Sequence, residues 1–89
     1  MVVCNKIVVQ GRVQNVGFRY YTFQTARSLN LSGFVKNEMD GTVYIEVEGD
    51  ENSVNRFIQA IRKGPSWARV DHVDINTCPI QNHSEFYVR

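Results

Sequence analysis

The sequence predicts an α+β fold in which two helices pack on one face of an antiparallel sheet. Three observations support this: two segments carry the apolar spacing of amphipathic helices, their neighbours are short and β-branched, and the order is β-α-β-β-α-β. That order, with a short extra strand at the end, is typical of the ferredoxin-like α/β sandwich. There is no repeat, linker or low-complexity tract, so residues 1–89 are predicted to form a single domain.

The first half of the chain is predicted to form a strand, a loop, a helix and a second strand. The first strand is centred on residues 6–9, extends back toward Val2, and is apolar and β-branched. A helix follows the loop, with Phe23 beside an apolar stripe made of Phe18, Thr22, Ala26 and Leu29. Ser32-Gly33 is predicted to end this helix, since glycine tolerates a left-handed cap. The second strand is Phe34–Asn37.

A hairpin is predicted next, because Asp40-Gly41 is a tight-turn signal. The residues that follow, Thr42–Glu48, alternate between apolar and polar, which indicates a half-buried antiparallel strand. Its inward side chains are Val43, Ile45 and Val47, and its solvent-facing side chains are Tyr44, Glu46 and Glu48.

Asp50 is the predicted N-cap of a second helix, which Gly64-Pro65 ends. The apolar stripe of this helix comprises Val54, Phe57, Ile58 and Ile61. Strands around Val70–Thr77 and Phe86–Val88 complete the predicted fold.

This topology predicts which distant residues meet. If the first two strands run the same way across a right-handed connection, the loop Gly11–Arg19 and Asn37 lie at the same edge of the sheet. The last long strand runs down beside the first, which brings Cys4 and Cys78 toward the opposite edge. We interpret the cysteines as two free thiols, with a disulfide as the competing hypothesis, because they match no zinc-binding spacing.

Composition excludes several classes of function. The formal net charge is +1, with ten Lys and Arg residues scattered among nine acids, so a nucleic-acid surface is not expected. No apolar run approaches the ~20 residues of a membrane span. Polar Asn5-Lys6 interrupts the N-terminus before a signal-peptide core could form, so a cytoplasmic location is expected.

The loop Gly11–Arg19 is the candidate site for an anion. Gly11 and Gly17 allow unusual dihedral angles, and Asn15 is among the residues that best tolerate a positive φ. Main-chain N–H groups of such a loop can converge into an anion nest beside a helix N-terminus. The spacing of the glycines and the lack of GK[ST] exclude a Walker A loop.

Two polar residues favour this interpretation. Arg19 stands at the start of a helix, where a cation is disfavoured unless an anion is bound nearby; a solvent-facing or carboxylate-paired arginine is the alternative. Asn37 is a poor strand residue, and turn chemistry before Asp40-Gly41 is its alternative explanation.

Two segments resemble the signatures of the acylphosphatase family. Gly-Arg-Val-Gln-Asn-Val-Gly-Phe-Arg, residues 11–19, is similar to G-x-V-Q-G-V-x-F-R. Phe34–Asn37 with Asp40–Val43 is similar to G-x-V-x-N followed by D-G-x-V. The resemblance spans nearly the whole chain. One departure is Asn15, which stands where the family usually has glycine.

The resemblance implies hydrolysis of acyl phosphates to a carboxylate and inorganic phosphate. It implies that Arg19 binds phosphate, that Asn37 positions the attacking water, and that main-chain amides cradle the phosphoryl oxygens. Those amides belong to Gln14, Asn15, Val16, Gly17 and Phe18. We expect no metal, no cofactor, a monomer, a small-molecule acyl phosphate as substrate, and phosphate or sulfate as product or inhibitor.

Two alternatives remain at this point. An RNA-contacting module on the same fold is disfavoured, because the predicted central strands present only Tyr44 as an outward aromatic residue. A non-catalytic module that binds phosphate or carbamoyl phosphate remains open because of Asn15. His72 and His83 are interpreted as non-catalytic and Trp67 as a packing residue. Tyr20 and Tyr21 are interpreted as packing residues, with a position at the border of the site as the alternative.

Overall fold

The computed structural model describes residues 1–89 and contains five strands and two helices in the predicted order. They are β1 (Val2–Arg12), α1 (Phe18–Ser28), β2 (Ser32–Asn37), β3 (Val43–Asp50), α2 (Glu51–Lys63), β4 (Arg69–Thr77) and β5 (Phe86–Val88). The predicted ferredoxin-like α+β fold is confirmed.

The strands form one sheet in the order β4-β1-β3-β2-β5. β1 pairs antiparallel with β3 and β4, and β2 pairs antiparallel with β3. β5 pairs parallel with β2, so the sheet is mixed where a purely antiparallel one was predicted. The short extra strand extends the sheet at the edge that lies beside α1.

The hydrophobic core lies between the helices and one face of the sheet. As predicted, β3 contributes Val43, Ile45 and Val47, all completely buried. The helices contribute buried residues at helical spacing, namely Phe18, Thr22 and Ala26 from α1 and Val54, Phe57 and Ile61 from α2. Asp50 caps α2 as predicted, since its carboxylate accepts the N–H of Asn52. Neither helix has the length and apolar content needed to cross a membrane.

The end of α1 differs from the prediction. The helix ends at Ser28, and Asn30 takes the left-handed conformation with a φ of 57°. Gly33 lies inside β2, where a Cβ atom would collide with the main-chain carbonyl oxygen of Glu46. Gly33 therefore permits close approach of β2 to β3, and it is not the helix cap.

The sheet face opposite the helices is covered where the chain returns from β4 to β5. These strands lie at opposite edges, so residues 78–85 must cross the sheet. Glu48 is only 5% exposed beneath this crossing segment, and the prediction that it faces solvent was wrong. Its carboxylate accepts the main-chain N–H groups of Gln81, Asn82 and His83 at 2.6, 3.2 and 3.1 Å.

Cys4 and Cys78 form a disulfide, with their Cα atoms 5.2 Å apart. The N–H of Cys78 also donates to the carbonyl oxygen of Cys4 at 2.9 Å. The predicted proximity is therefore confirmed, and the interpretation as free thiols was wrong. The bridge closes a separation of 74 residues and fastens the start of the crossing segment to β1.

Candidate functional site

A cavity of about 230 Å³ opens at the edge of the sheet where β1 meets α1. It is lined by Val13, Asn15, Gly17, Phe18, Arg19, Tyr20, Asn37 and Val88. The topology thus brings the β1–α1 loop and the end of β2 together, as the sequence predicted. Val88 of β5 also lines the cavity, which the sequence did not predict.

The loop is anchored at both ends and takes left-handed backbone conformations between them. Val13 is buried in the core, and Val16 packs against it. Asn15 has a φ of 61° and Gly17 a φ of 78°. Asparagine therefore occupies a position that favours glycine, and its exposed side chain lines the cavity. Alternation of left-handed and ordinary conformations lets successive N–H groups point to one side.

Gln14 ties the loop to the β2–β3 hairpin. Its Nε2 donates to the carbonyl oxygens of Glu38 and Thr42, at 2.8 and 2.9 Å. Asp40 in turn accepts hydrogen bonds from the hydroxyl and N–H of Thr42, which lower the pKa of the Asp40 carboxyl. The side chain of Gln14 is therefore committed to the hairpin, so only its main-chain N–H remains a candidate for phosphate binding.

At the N-terminus of α1, no side chain of the helix itself caps the first N–H groups or supplies a negative charge. Gly17 is the N-cap residue, with no side chain to accept the first N–H groups, and the first turn has no acidic residue. The first N–H groups of a helix have no partner within the helix. Their donors and the positive end of the helix dipole therefore lie at the wall of the cavity formed by Gly17 and Phe18.

Arg19 lines the same cavity, and a hydrogen bond to the main chain near β5 fixes its side chain. One of its terminal nitrogens, Nη1, donates to the carbonyl oxygen of Arg89 at 2.9 Å. Arg89 follows β5, where its own N–H donates to the carbonyl oxygen of Val35. This bond between Arg19 and Arg89 could not be inferred from the sequence, because 70 residues separate the partners.

Asn37, the last residue of β2, has an unusual polar environment. Its Oδ1 is buried and has no hydrogen-bond partner in the protein. Buried acceptors are nearly always hydrogen-bonded, and one left without a partner costs roughly 1–3 kcal/mol. The residue lines the same cavity as Arg19, so this unpartnered acceptor belongs to a side chain of the candidate site.

Two aromatic residues interpreted as packing residues lie exposed near the site. Tyr20 lines the cavity and is 62% exposed, and Trp67 is 67% exposed. The indole nitrogen of Trp67 lies 3.6 Å from the position that a Cβ on Gly17 would occupy. Tyr20 lies off the buried stripe of α1, a signal that could have identified it; Trp67 follows a Gly-Pro pair and has no such signal.

The other titratable candidates lie away from the cavity. The Tyr21 hydroxyl donates to the carbonyl oxygen of Ala60, and burial raises its pKa, which fits the predicted packing role. His72 contacts Asp74 at 2.9 Å on the exposed surface of β4. His83 contacts Glu46 at 3.3 Å on the far face of the sheet. Neither histidine lines the cavity.

Comparisons with known proteins agree with one another. The sequence model of the family described as Acylphosphatase matches residues 5–88. An acylphosphatase of Clostridium beijerinckii is 51% identical over 73 residues, covering 82% of this chain and 81% of the relative. One of Thermotoga petrophila is 43% identical over 84 residues, covering 94% and 93%. The crystal structure of acylphosphatase from Bacillus subtilis superimposes with a TM-score of 0.95 at 36% identity, covering 100% and 99%.

Proposed function

Because this chain belongs to the acylphosphatase family and is an enzyme of the hydrolase class, we propose that it cleaves the carboxyl–phosphate bond of acyl phosphates at the cavity described above. In this proposal residues 14–19 hold the phosphoryl group, Arg19 neutralises its charge and Asn37 orients the attacking water. The products are a carboxylate and inorganic phosphate, and sulfate competes as a phosphate analogue. We also propose that residues 1–89 act as one domain and as a monomer.

The observation that carries this proposal is the unpartnered Oδ1 of Asn37. A small rotation of the Asn37 side chain toward the cavity exposes this acceptor to a water molecule there, which donates one O–H to it. The donated hydrogen bond fixes the orientation of the water and leaves an oxygen lone pair free to attack phosphorus. Asn37 therefore acts by orientation, since an amide is too weak a base to remove the proton.

Phosphate binding is supported by the donors at the start of α1. The left-handed conformations of Asn15 and Gly17 and the uncapped helix N-terminus leave main-chain N–H groups available to phosphoryl oxygens. The guanidinium of Arg19 donates one N–H to Arg89, and its remaining N–H groups are free to donate to the anion. Bound phosphate also offsets the unfavourable placement of a cation at the positive end of a helix.

Hydrolysis of an acyl phosphate requires neither a general acid for the leaving group nor a covalent nucleophile from the protein. A carboxylate is a weak base and leaves without protonation, and the loose transition state spreads negative charge over the phosphoryl oxygens. Fixed donors and a guanidinium are well suited to stabilising that charge. No carboxylate or histidine lines the cavity, so we propose that the substrate's own phosphoryl oxygen accepts the proton of the water.

The test is hydrolysis of benzoyl phosphate in the presence of EDTA. We expect Arg19→Ala to lose both phosphate affinity and turnover, because the guanidinium contacts the phosphoryl group in both states. We expect Asn37→Ala to lose turnover by roughly 10²-fold or more while still binding phosphate, since misoriented reactants react far more slowly.

Matched controls are available on the exposed surface of α2. Arg56→Ala and Asn55→Ala remove the same side chains where both are exposed, and should retain full activity. Full activity in Arg19→Ala contradicts the proposed site. Phosphate binding by the unsubstituted protein without turnover favours a non-catalytic phosphate- or carbamoyl-phosphate-binding module. Loss of turnover in EDTA, restored by a divalent cation, contradicts the metal-independent chemistry.

A further inference from the structure

A second group of reactive side chains lies on the sheet face opposite the helices. The sulfur atoms of Cys4 and Cys78 and a carboxylate oxygen of Glu46 all lie within 4.8 Å of one another. The Nε2 of His83 lies 3.3 Å from Oε1 of the same carboxylate. Cys4 precedes Gly11 on β1 by about 23 Å, from the rise of a β-strand. This group is therefore separate from the phosphate cavity.

The four side chains are shielded and held in place by their neighbours. Cys4 is 3% exposed, and the side chains of Glu46 and His83 are 13% and 17% exposed. The hydroxyl of Tyr44 donates to the second oxygen of Glu46 at 3.1 Å. The N–H of His83 donates to the buried carboxylate of Glu48, which fixes the main chain from which the imidazole projects. Supporting hydrogen bonds of this kind are typical of metal centres.

Two sulfur atoms, an oxygen and an imidazole nitrogen form a donor set that suits zinc. Zn²⁺ binds thiolates, histidines and carboxylates tetrahedrally, which places ligand atoms about 3.3–3.8 Å apart. The sulfur and carboxylate atoms, within 4.8 Å of one another, are near this range, and the imidazole of His83 borders the cluster through its 3.3 Å contact with Glu46. We propose that reduction of the Cys4–Cys78 disulfide converts this cluster into a Zn²⁺ site, with both thiolates, Glu46 and His83 as ligands.

The conversion is balanced with a small-molecule thiol as reductant. Two small-molecule thiols are oxidised to their own disulfide through a mixed disulfide with the protein, and the two electrons and two protons that they give up convert the Cys4–Cys78 bond into two cysteine thiols. Half-buried Cys78 is the more accessible sulfur for the first attack. Zn²⁺ then displaces the protons of the two cysteine thiols, because only thiolates ligate it. The adjacent Glu48 carboxylate contributes negative potential that favours the cation.

The proposed site links the crossing segment to the sheet in both redox states, through the disulfide when oxidised and through bound Zn²⁺ when reduced. The disulfide joins β1 to Cys78 when the protein is oxidised. In the reduced protein the metal joins β1, β3, Cys78 and His83 through its ligands. The hydrolytic cavity contains none of these residues, so this proposal is independent of the proposed function.

The test is metal titration of the whole protein in both redox states. The protein is reduced with a phosphine, freed of reductant without oxygen, and titrated with Co²⁺ and then Zn²⁺. We expect reduced protein to bind a single equivalent of Co²⁺ with intense thiolate-to-metal charge-transfer absorption, which Zn²⁺ abolishes by displacement. Oxidised protein should show no such absorption. Absence of the absorption in reduced protein overturns the proposal.

Substitutions identify the ligands. Cys4→Ser and Cys78→Ser should each abolish the charge-transfer absorption at stoichiometric Co²⁺. Glu46→Gln and His83→Asn should each weaken Zn²⁺ binding by about 10–100-fold, measured against a chromophoric chelator. His72→Asn is the matched control: its histidine contacts Asp74 on β4, is 58% exposed, and should leave Zn²⁺ affinity unchanged.

Folding of each variant is checked by circular dichroism. If buried Cys4→Ser does not fold, half-buried Cys78→Ser tests the same pair of sulfur ligands. Unchanged Zn²⁺ affinity in either Glu46→Gln or His83→Asn overturns the four-ligand assignment. Equal weakening by His72→Asn also overturns it, since that result indicates non-specific binding by surface histidines.

Discussion

At the scale of single residues, the loop between β1 and α1 contains two positions with positive φ, Asn15 and Gly17. Glycine at 17 adopts its φ of 78° without steric cost, and Asn15 adopts 61° at a cost smaller than that of most side chains. The substitution of asparagine for the family's usual glycine is therefore compatible with the loop conformation. It adds an exposed polar side chain at the mouth of the cavity.

This conformational explanation predicts opposite outcomes for two variants at position 15. Asn15→Gly should keep phosphate affinity and turnover within a few-fold, because glycine adopts the same backbone. Asn15→Ala should weaken phosphate binding roughly 5–30-fold, since alanine in a left-handed conformation costs roughly 1–2 kcal/mol. For each variant, the rate of benzoyl phosphate hydrolysis gives turnover, and inhibition of that rate by phosphate gives phosphate affinity. Asn55→Ala is the control. Equal losses in the two variants would show that the asparagine side chain, not the backbone, sustains binding.

At the scale of elements, the crossing segment determines where β5 lies. β5 has only three residues, and the segment before it has no regular secondary structure. Glu48 substitutes for a strand partner by accepting three successive main-chain N–H groups of the segment. β5 then carries Val88 to the cavity and leads to Arg89, which holds Arg19. A buried carboxylate on one face of the sheet thus supports, through β5, the arginine that lines the cavity at its edge.

Removing this carboxylate should destabilise the protein more than its position on a strand suggests. We expect Glu48→Ala to lower the free energy of unfolding by roughly 1.5–3 kcal/mol, because it leaves buried N–H groups without their charged acceptor. Urea denaturation monitored by circular dichroism measures this loss. Glu85→Ala, which removes an exposed carboxylate from the same segment, should change the free energy by less than roughly 0.5 kcal/mol. Equal small effects of both substitutions would refute the role assigned to Glu48.

At the scale of the whole molecule, a small core is supplemented by a cross-link between distant parts of the chain. Chains of this size bury a limited fraction of their surface, so additional links contribute appreciably to stability. The Cys4–Cys78 bridge spans 74 residues and therefore restricts most of the unfolded chain. Compartment decides whether it persists, because cytosolic thiols reduce most disulfides. In a reducing compartment the pair is present as two thiols, which is the form that the proposed metal site requires.

Reduction in metal-free solution should lower the free energy of unfolding by about 2–4 kcal/mol, because long closed loops restrict the unfolded state most strongly. Guanidinium denaturation with and without reductant, in the presence of EDTA, measures the difference. The Cys4→Ser/Cys78→Ser double variant is the control and should be insensitive to reductant. Identical unfolding curves for oxidised and reduced protein would contradict the stabilising role of the bridge.

The sequence by itself determined the elements, their order and the edge at which Gly17, Arg19 and Asn37 meet. Apolar periodicity and turn residues are local signals, and the handedness of chain connections limits how the elements assemble. The motif around Arg19 also carried the family resemblance, which the comparisons confirmed.

Tertiary structure alone decided the features that depend on the crossing segment and on close strand contact. The burial of Glu48, the pairing of the cysteines and the bond from Arg19 to Arg89 all join residues far apart in the chain. The need for glycine at 33 arises from a carbonyl group on the neighbouring strand. A segment without periodicity gives no local signal of what it covers, so these contacts emerge only when the whole chain is folded.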